Sequence, residues 1–212
     1  MTPEVTARAV LIPVKSFHAA KLRLATVLGA RAREALAREL ASRVISAAAP
    51  LPVLVVCDDD EVAAWATEHG ARVAWTPGLG LSAAVMAGVD QLATEGVELA
   101  IVAHADLPFA GGLATLGEAG TVTLVPDRRR DGTNVAVVPT DAGFCFQYGA
   151  GSFERHRTEA ARLGLPCQIV YDRRLAIDID LPEDLALLKV ATCPDGIQPA
   201  HTQPGTGCGR AP

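Results

Sequence analysis

The chain has 212 residues, half of them hydrophobic but only 4% aromatic, enough for one domain whose core is Ala, Val, Leu and Ile. That mix is usual in parallel sheets flanked by helices. A formal charge of -5 gives no general field for nucleic acid or an anionic membrane, so an anionic partner must be met by local cations, which favours a small phosphorylated ligand.

The first half alternates apolar runs with helical stretches: strand 9–14, helix 31–48, strand 53–57, helix 61–69, strand 72–75, helix 82–94, strand 99–103. Repeated βαβ units predict a sheet between helices. In the first helix Leu36, Leu40, Val44 and Ala48 recur at helical spacing, leaving Arg33, Glu34, Arg38 and Glu39 for the outer face. Beyond Pro108 the order loosens into a short helix near Leu113, strands 121–125 and 135–138, a helix 152–163 and a strand 168–171, so the sheet should become mixed. A last helix, 182–189, has Pro at its first position and acids in its first turn.

Past Ala191, Pro and Gly recur without periodicity. The expected layout is therefore a single domain over 1–191 and a disordered tail over 192–212. Cysteines 57, 145, 167, 193 and 208 show neither C-x-x-C nor a His-Cys zinc spacing and are read as reduced, buried thiols. No apolar run reaches the ~20 residues that span a bilayer, and no charged-then-apolar leader opens the chain, so a cytoplasmic location is expected.

Open α/β sheets gather ligands at their strand ends. The first strand runs into Lys15-Ser-Phe-His-Ala-Ala-Lys21-Leu-Arg23, three cations that with backbone N–H groups can cradle a triphosphate; Pro13, Phe17 and Leu22 should hold this loop near the sheet. A mid-chain strand ends in His104-Ala-Asp106-Leu-Pro108, placing a carboxylate where Mg²⁺ would suit it, although Asp also serves simply to form turns. Asp178 and Asp180, read as a strand-end D-x-D, would share one side of the pleat and complete a site for one or two ions.

A second anion berth is suggested by Asp127-Arg-Arg-Arg130-Asp-Gly-Thr133 and by Tyr148-Gly-Ala-Gly151-Ser152, a helix start with free N–H groups. The rival is plain N-capping by Ser152, with Arg155 and His156 exposed. Gly78-Leu-Gly80-Leu-Ser-Ala83 matches a relaxed dinucleotide fingerprint, but it follows the third strand and lacks the later acid; its glycines equally suit close approach to a base or ribose. The Walker pattern is absent. Together these residues point to a nucleotide-handling enzyme.

The ordered set IPVKSFHAAKLRL, PGLGLSAAV, HADLP, PDRRRDGTNVAV, YGAGSFERH and DIDLPEDL, covering Val10 to Lys189, resembles the phosphoenolpyruvate and 2-phospho-L-lactate guanylyltransferases of coenzyme F-420 biosynthesis. The resemblance implies a three-layer nucleotidyltransferase fold, nucleotide-diphospho-sugar transferase-like, with a mixed, mostly parallel sheet. It implies GTP at Lys15, Lys21, Arg23, Gly78, Gly80, Leu81 and Ser82. Mg²⁺ would sit on Asp106, Asp178 and Asp180, the primary ligand of the couplet being left open. Thr133, Gly149, Gly151 and Ser152 would receive the three-carbon phosphoacid, and Lys15, Lys21 and Asp106 would be catalytic.

Phosphoenolpyruvate, 2-phospholactate and 3-phosphoglycerate all offer one carboxylate and one phosphate; likeness to bacterial members favours the first. A downstream transferase consuming a labile product is implied, and a homodimer is compatible with the composition. The rivals are a molybdenum-cofactor guanylyltransferase, which need not carry the Thr133 and Gly151-Ser152 pocket, and a non-catalytic nucleotide-binding protein, which has no use for the D-x-D.

Overall fold

A strand that no helix-length connection precedes must run antiparallel to its neighbour, and one such strand shapes this sheet. The computed structural model describes residues 7–190 and 201–202. The strands are β1 (Arg8–Pro13), β2 (Val53–Cys57), β3 (Arg72–Trp75), β4 (Leu99–Ala103), β5 (Val122–Pro126), β6 (Thr133–Pro139) and β7 (Cys167–Tyr171). Their order is β3-β2-β1-β4-β6-β5-β7, with a two-residue β8 (His201–Thr202) antiparallel on the outer edge of β7. β6 returns from β5 through the tight turn 127–132 and pairs antiparallel with both β5 and β4, while the other pairings from β3 to β7 are parallel.

Helices α1 (Ala30–Ala47) and α2 (Asp60–Glu68) cover one face, α3 (Leu81–Thr94) and α4 (Ser152–Arg162) the other. β1 shows why the run is apolar throughout: Val10 and Ile12 pack toward Ala41, Val44 and Trp65, while Ala9 and Leu11 pack toward Val85 and Leu92. The result is the expected three-layer α/β architecture with a mixed, mostly parallel sheet. Asp59 starts α2 by accepting the Val62 N–H at 3.1 Å, with Asp60 and Glu61 in the first turn. Among the described residues no helix is long and apolar enough to cross a membrane.

α3 lies very close to the sheet at Gly88, where a Cβ would fall 2.5 Å from Leu11 Cδ1 and 2.6 Å from Val56 Cγ1. Gly88→Val is therefore expected to destabilise the fold by about 1–3 kcal/mol through overpacking, read as a lower urea midpoint at unchanged slope. An unchanged midpoint would show that the helix shifts freely.

The predicted elements lie where expected to within a residue or two, with a few corrections. The last helix is split into a 3-10 turn, Pro182–Asp184, and a short α5 (Leu185–Val190). Leu22 does not hold the first loop: it is 62% exposed. Phe17 does, buried edge-on against Trp65 with centroids 5.1 Å apart and lying 4.3 Å beneath the Arg38 guanidinium, and Pro13 is half-buried at the end of β1. The loop thus covers part of α1, leaving Arg33, Glu34 and Arg38 half-buried instead of on an open outer face. Cys57 is buried, Cys167 half-buried and Cys145 exposed; all three are free thiols, and burial raises the pKa of the first two. Cys193, Cys208 and the tail expected over 192–212, save His201–Thr202, lie outside the described residues.

Candidate active site

β1 and β4 are parallel neighbours, so the segments that follow them emerge side by side at one sheet edge. There a cleft of about 570 Å³ is lined by Lys15, Lys21, Arg23, Leu81, Asp106 and Asp180, six of the residues the sequence singled out. Lys21 Nζ stands 2.5 Å from Asp106 Oδ2, and Arg23 Nη1 2.5 Å from Asp180 Oδ2. Lys21 adopts a left-handed backbone, φ 54°, which a side chain rarely takes unless its surroundings impose it. Lys15 is exposed, with no ion-pair partner among the described residues.

The acidic couplet arrives by a different route from the one expected. Residues 178–181 form no strand; β7 has already ended at Tyr171. Ile179 is buried against Leu24 and Leu40, which anchors the loop beside the turn carrying Lys21 and Arg23, and its N–H donates to the Asp106 carbonyl at 3.2 Å. The buried Asp184 shapes the loop, accepting the N–H groups of Asp180 at 2.9 Å and Leu181 at 2.7 Å while pairing with Arg128.

Two carboxyls here depart from ordinary behaviour in opposite directions. Burial works to raise the Asp106 pKa, but the Lys21 charge, then His104 and the Lys21 hydrogen bond, outweigh it and hold the group below the usual range. Burial pushes Asp178 up, the Asp106 charge adds to it, and the carboxyl reaches about 6.

Asp106 Oδ1 is buried without a hydrogen-bond partner. An orphaned carboxylate oxygen near a second carboxyl of raised pKa is an oxygen donor pair whose chemistry suits a hard divalent cation. Lys21 and Arg23 hold Asp106 and Asp180 at present. Among the described residues, the one trio of potential ligand groups mutually within 4.8 Å is instead His18, Glu34 and Glu61, where Arg38 already pairs with both glutamates.

Thr133, Gly149, Gly151 and Ser152 form a second group that is not part of the cleft's lining, with Thr133 and Ser152 buried. Because β6 is antiparallel, its beginning lies at the same edge as the ends of the other strands, and the His104 N–H donates to the Asn134 carbonyl at 3.0 Å. Gly149 and Gly151 turn the chain with φ 111° and 71°, conformations that glycine takes without strain. Ser152 does not cap α4; Gly151 occupies that position, and the Ser152 hydroxyl turns to accept the Thr133 N–H at 3.2 Å. The two groups are tied together by Ser82, which accepts the Tyr148 N–H at 3.0 Å, and by His104 against Tyr148 with ring centroids 5.1 Å apart. Gly78, with φ 71°, and Gly80 lead into α3, whose first turn has no side-chain cap. Gly78, Gly80, Ser82 and Asp178 flank the cleft but are not part of its lining.

Other charged residues of this region are engaged within the chain. The Arg128–Arg130 cluster is not a set of unpaired cations: Arg128 pairs with Asp184, Arg129 with Glu183, and Arg130 lies over the Tyr171 ring at 4.8 Å. Arg155 and His156 are not an exposed pair either. His156 is fully buried, and Arg155 turns back to donate to the carbonyls of Gln147, Tyr148 and Ala150.

Sequence reasoning also missed the role of Asp127, whose carboxylate accepts the N–H groups of Arg129, Asp131 and Gly132 at 2.9 to 3.0 Å and so builds the turn before Thr133. An Asp at a strand end ahead of Asp-Gly was the available signal. His156 offered none.

Comparison with known proteins gives the family and the fold. The sequence pattern of the family described as guanylyl transferase CofC like matches residues 8–191. A phosphoenolpyruvate guanylyltransferase of Sphaerobacter thermophilus is 34% identical over 185 residues, covering 82% of this chain and 89% of that protein. One of the same name from Rubrobacter xylanophilus is also 34% identical, covering 85% and 93%. A solved structure described as a nucleotide-diphospho-sugar transferase, from Desulfovibrio desulfuricans G20, superposes with a TM-score of 0.70 at 16% identity, over 85% of each chain; that likeness concerns the fold.

Proposed function

Because this chain belongs to the guanylyl transferase CofC-like family, we propose that it joins GMP from GTP to the phosphate of phosphoenolpyruvate, releasing pyrophosphate, in coenzyme F-420 biosynthesis. The observation that carries this reading is the single cleft shared by Lys15, Lys21, Asp106 and Asp180, whose His104 is hydrogen-bonded to Asn134, the neighbour of Thr133. A nucleic-acid or membrane partner is not part of it. The chain acts in the cytoplasm as a GTP-binding enzyme, hands its labile product to a downstream transferase and is compatible with a homodimer.

The division of labour follows from charge. A phosphomonoester has a second pKa near ~6, so its oxygen is anionic at neutral pH and attacks the α-phosphorus without a general base. What the protein must supply is alignment and screening. In this reading Lys15 and Lys21 offset repulsion between the two anions and meet charge developing on the leaving pyrophosphate. The uncapped first turn of α3 and Gly78 to Ser82 receive the nucleotide. Thr133, Ser152 and the backbone at Gly149 and Gly151 receive the phosphoacid. Asp106, Asp178 and Asp180 would hold Mg²⁺, which when bound supplies Lewis-acid polarisation of phosphate oxygens.

Purified chain is supplied with GTP, Mg²⁺ and, separately, phosphoenolpyruvate, 2-phospholactate or 3-phosphoglycerate, with the downstream transferase present to trap product. Pyrophosphate release is expected with phosphoenolpyruvate. Silence with all three acids overturns the reading, and release with a different acid alone reassigns the acceptor.

A further inference from the structure

His156 lies in the second turn of α4, fully buried, with its ring against Phe144, Phe146 and Tyr148 at centroid distances of 5.8, 5.8 and 5.1 Å. Those rings belong to the segment that leads into Gly149, so the histidine sits behind the loop assigned to the phosphoacid. Both of its nitrogens are engaged. Nε2 is 3.0 Å from the Gln147 backbone nitrogen, and Nδ1 is 3.0 Å from Thr133 Oγ1.

The chemistry of these partners fixes the proton. A backbone N–H can only donate, so Nε2 must be bare. A neutral imidazole bare at Nε2 carries its hydrogen on Nδ1, which then donates to Thr133 Oγ1. Charging the ring would place a second hydrogen against the Gln147 N–H. Burial, then the neighbouring Arg155 and His104, also oppose that charge and push the pKa down to about 4.

With its oxygen accepting from Nδ1, the Thr133 hydroxyl has a proton left to give. Ser152 is in the same state, since its oxygen accepts the Thr133 N–H and no acceptor takes its proton among the described residues. Two neighbouring hydroxyls are thus both set as donors, the polarity an anion requires.

We propose that His156 is a positioning residue for the acceptor substrate: the Gln147 N–H locks it as the Nδ1–H tautomer, which commits the Thr133 hydroxyl to donate to an oxyanion of the phosphoacid. This rests on the assignment of Thr133 and Ser152 to that ligand. A histidine that merely fills space among three aromatic rings would leave the tautomer and the substrate dependence unconnected.

Two measurements test it. In protein labelled with ¹⁵N-histidine, His156 is expected to show a protonated Nδ1, a bare Nε2 and a neutral ring at pH 6; an Nε2–H tautomer or a charged ring overturns the proposal. This readout needs neither a variant nor activity, so a wild-type chain that releases no pyrophosphate sinks the proposed function alone. The second measurement compares His156→Asn, whose amide can replace the Nδ1 donor, with His156→Gln, which can keep an acceptor near Nε2 but nothing at Nδ1. His156→Gln is expected to raise KM for the phosphoacid about tenfold, with KM for GTP unchanged, and His156→Asn to restore it. Equal KM for the two variants, or loss of both substrates in step with thermal stability, overturns the proposal.

Discussion

Asp106→Asn is expected to lower kcat/KM for pyrophosphate release by about 10²–10³-fold while leaving a folded chain. Three properties of this side chain make it the most sensitive position in the cleft. It holds Lys21 at 2.5 Å, it presents a buried oxygen with no partner, and its charge adds to the burial that raises Asp178. An amide keeps the size but surrenders the charge and turns one end into a donor, so both the lysine and an arriving cation lose their anchor. Initial-rate measurement over a Mg²⁺ series, with circular dichroism to check folding, decides the matter. Activity within tenfold of the parent, at any Mg²⁺ concentration, would remove Asp106 from the reacting centre.

Asp178→Asn should separate stability from activity. The unfolded carboxyl titrates near the ordinary 3.8 and the folded one at about 6, so the native state binds that proton more tightly than the unfolded state does. As pH rises from about 4 to about 6, the wild-type chain therefore loses stability at this position, and above about 6 the whole penalty is present. Asparagine carries no such penalty. Without divalent cations the variant should melt on the order of 2–4 °C above wild type at pH 8 and level with it near pH 4, while kcat/KM falls at least tenfold. Mg²⁺ should raise the melting temperature of wild type more than that of the variant. A variant that melts lower than wild type at pH 8 contradicts the electrostatic account, and one with full activity removes Asp178 from the metal site.

What the sequence disclosed and what it hid divide along local and non-local lines. The elements were legible because β1, β2 and β4 are continuous apolar runs and α1 keeps its period, both properties of neighbouring residues. The placement of Lys21 and Asp106 was legible because a rule of parallel sheets puts strand ends on one edge. The Asp178-Ile-Asp180 conformation was not, since alternation reads the same in a strand as in a loop anchored by one buried side chain, here Ile179 against Leu24 and Leu40. The fate of Arg128 was hidden for a related reason: its partner Asp184 is 56 residues away, and no local pattern announces an ion pair of that span. Ser152 deceived in a subtler way, because Gly-Ser before a helix looks like capping until the glycine's left-handed turn moves the cap back one position.

The reversal of β6 has an evolutionary corollary. Everything assigned to GTP, from Lys15 through Asp106, precedes residue 122, whereas Thr133, Gly149, Gly151 and Ser152 all come from the hairpin and helix that the reversed strand carries back to the common edge. On the proposed assignment, donor and acceptor recognition occupy consecutive stretches of one gene, joined across the sheet at His104 and Ser82. A lineage could retune its choice of phosphoacid by drift within residues 122–163 alone, keeping its nucleotide chemistry untouched.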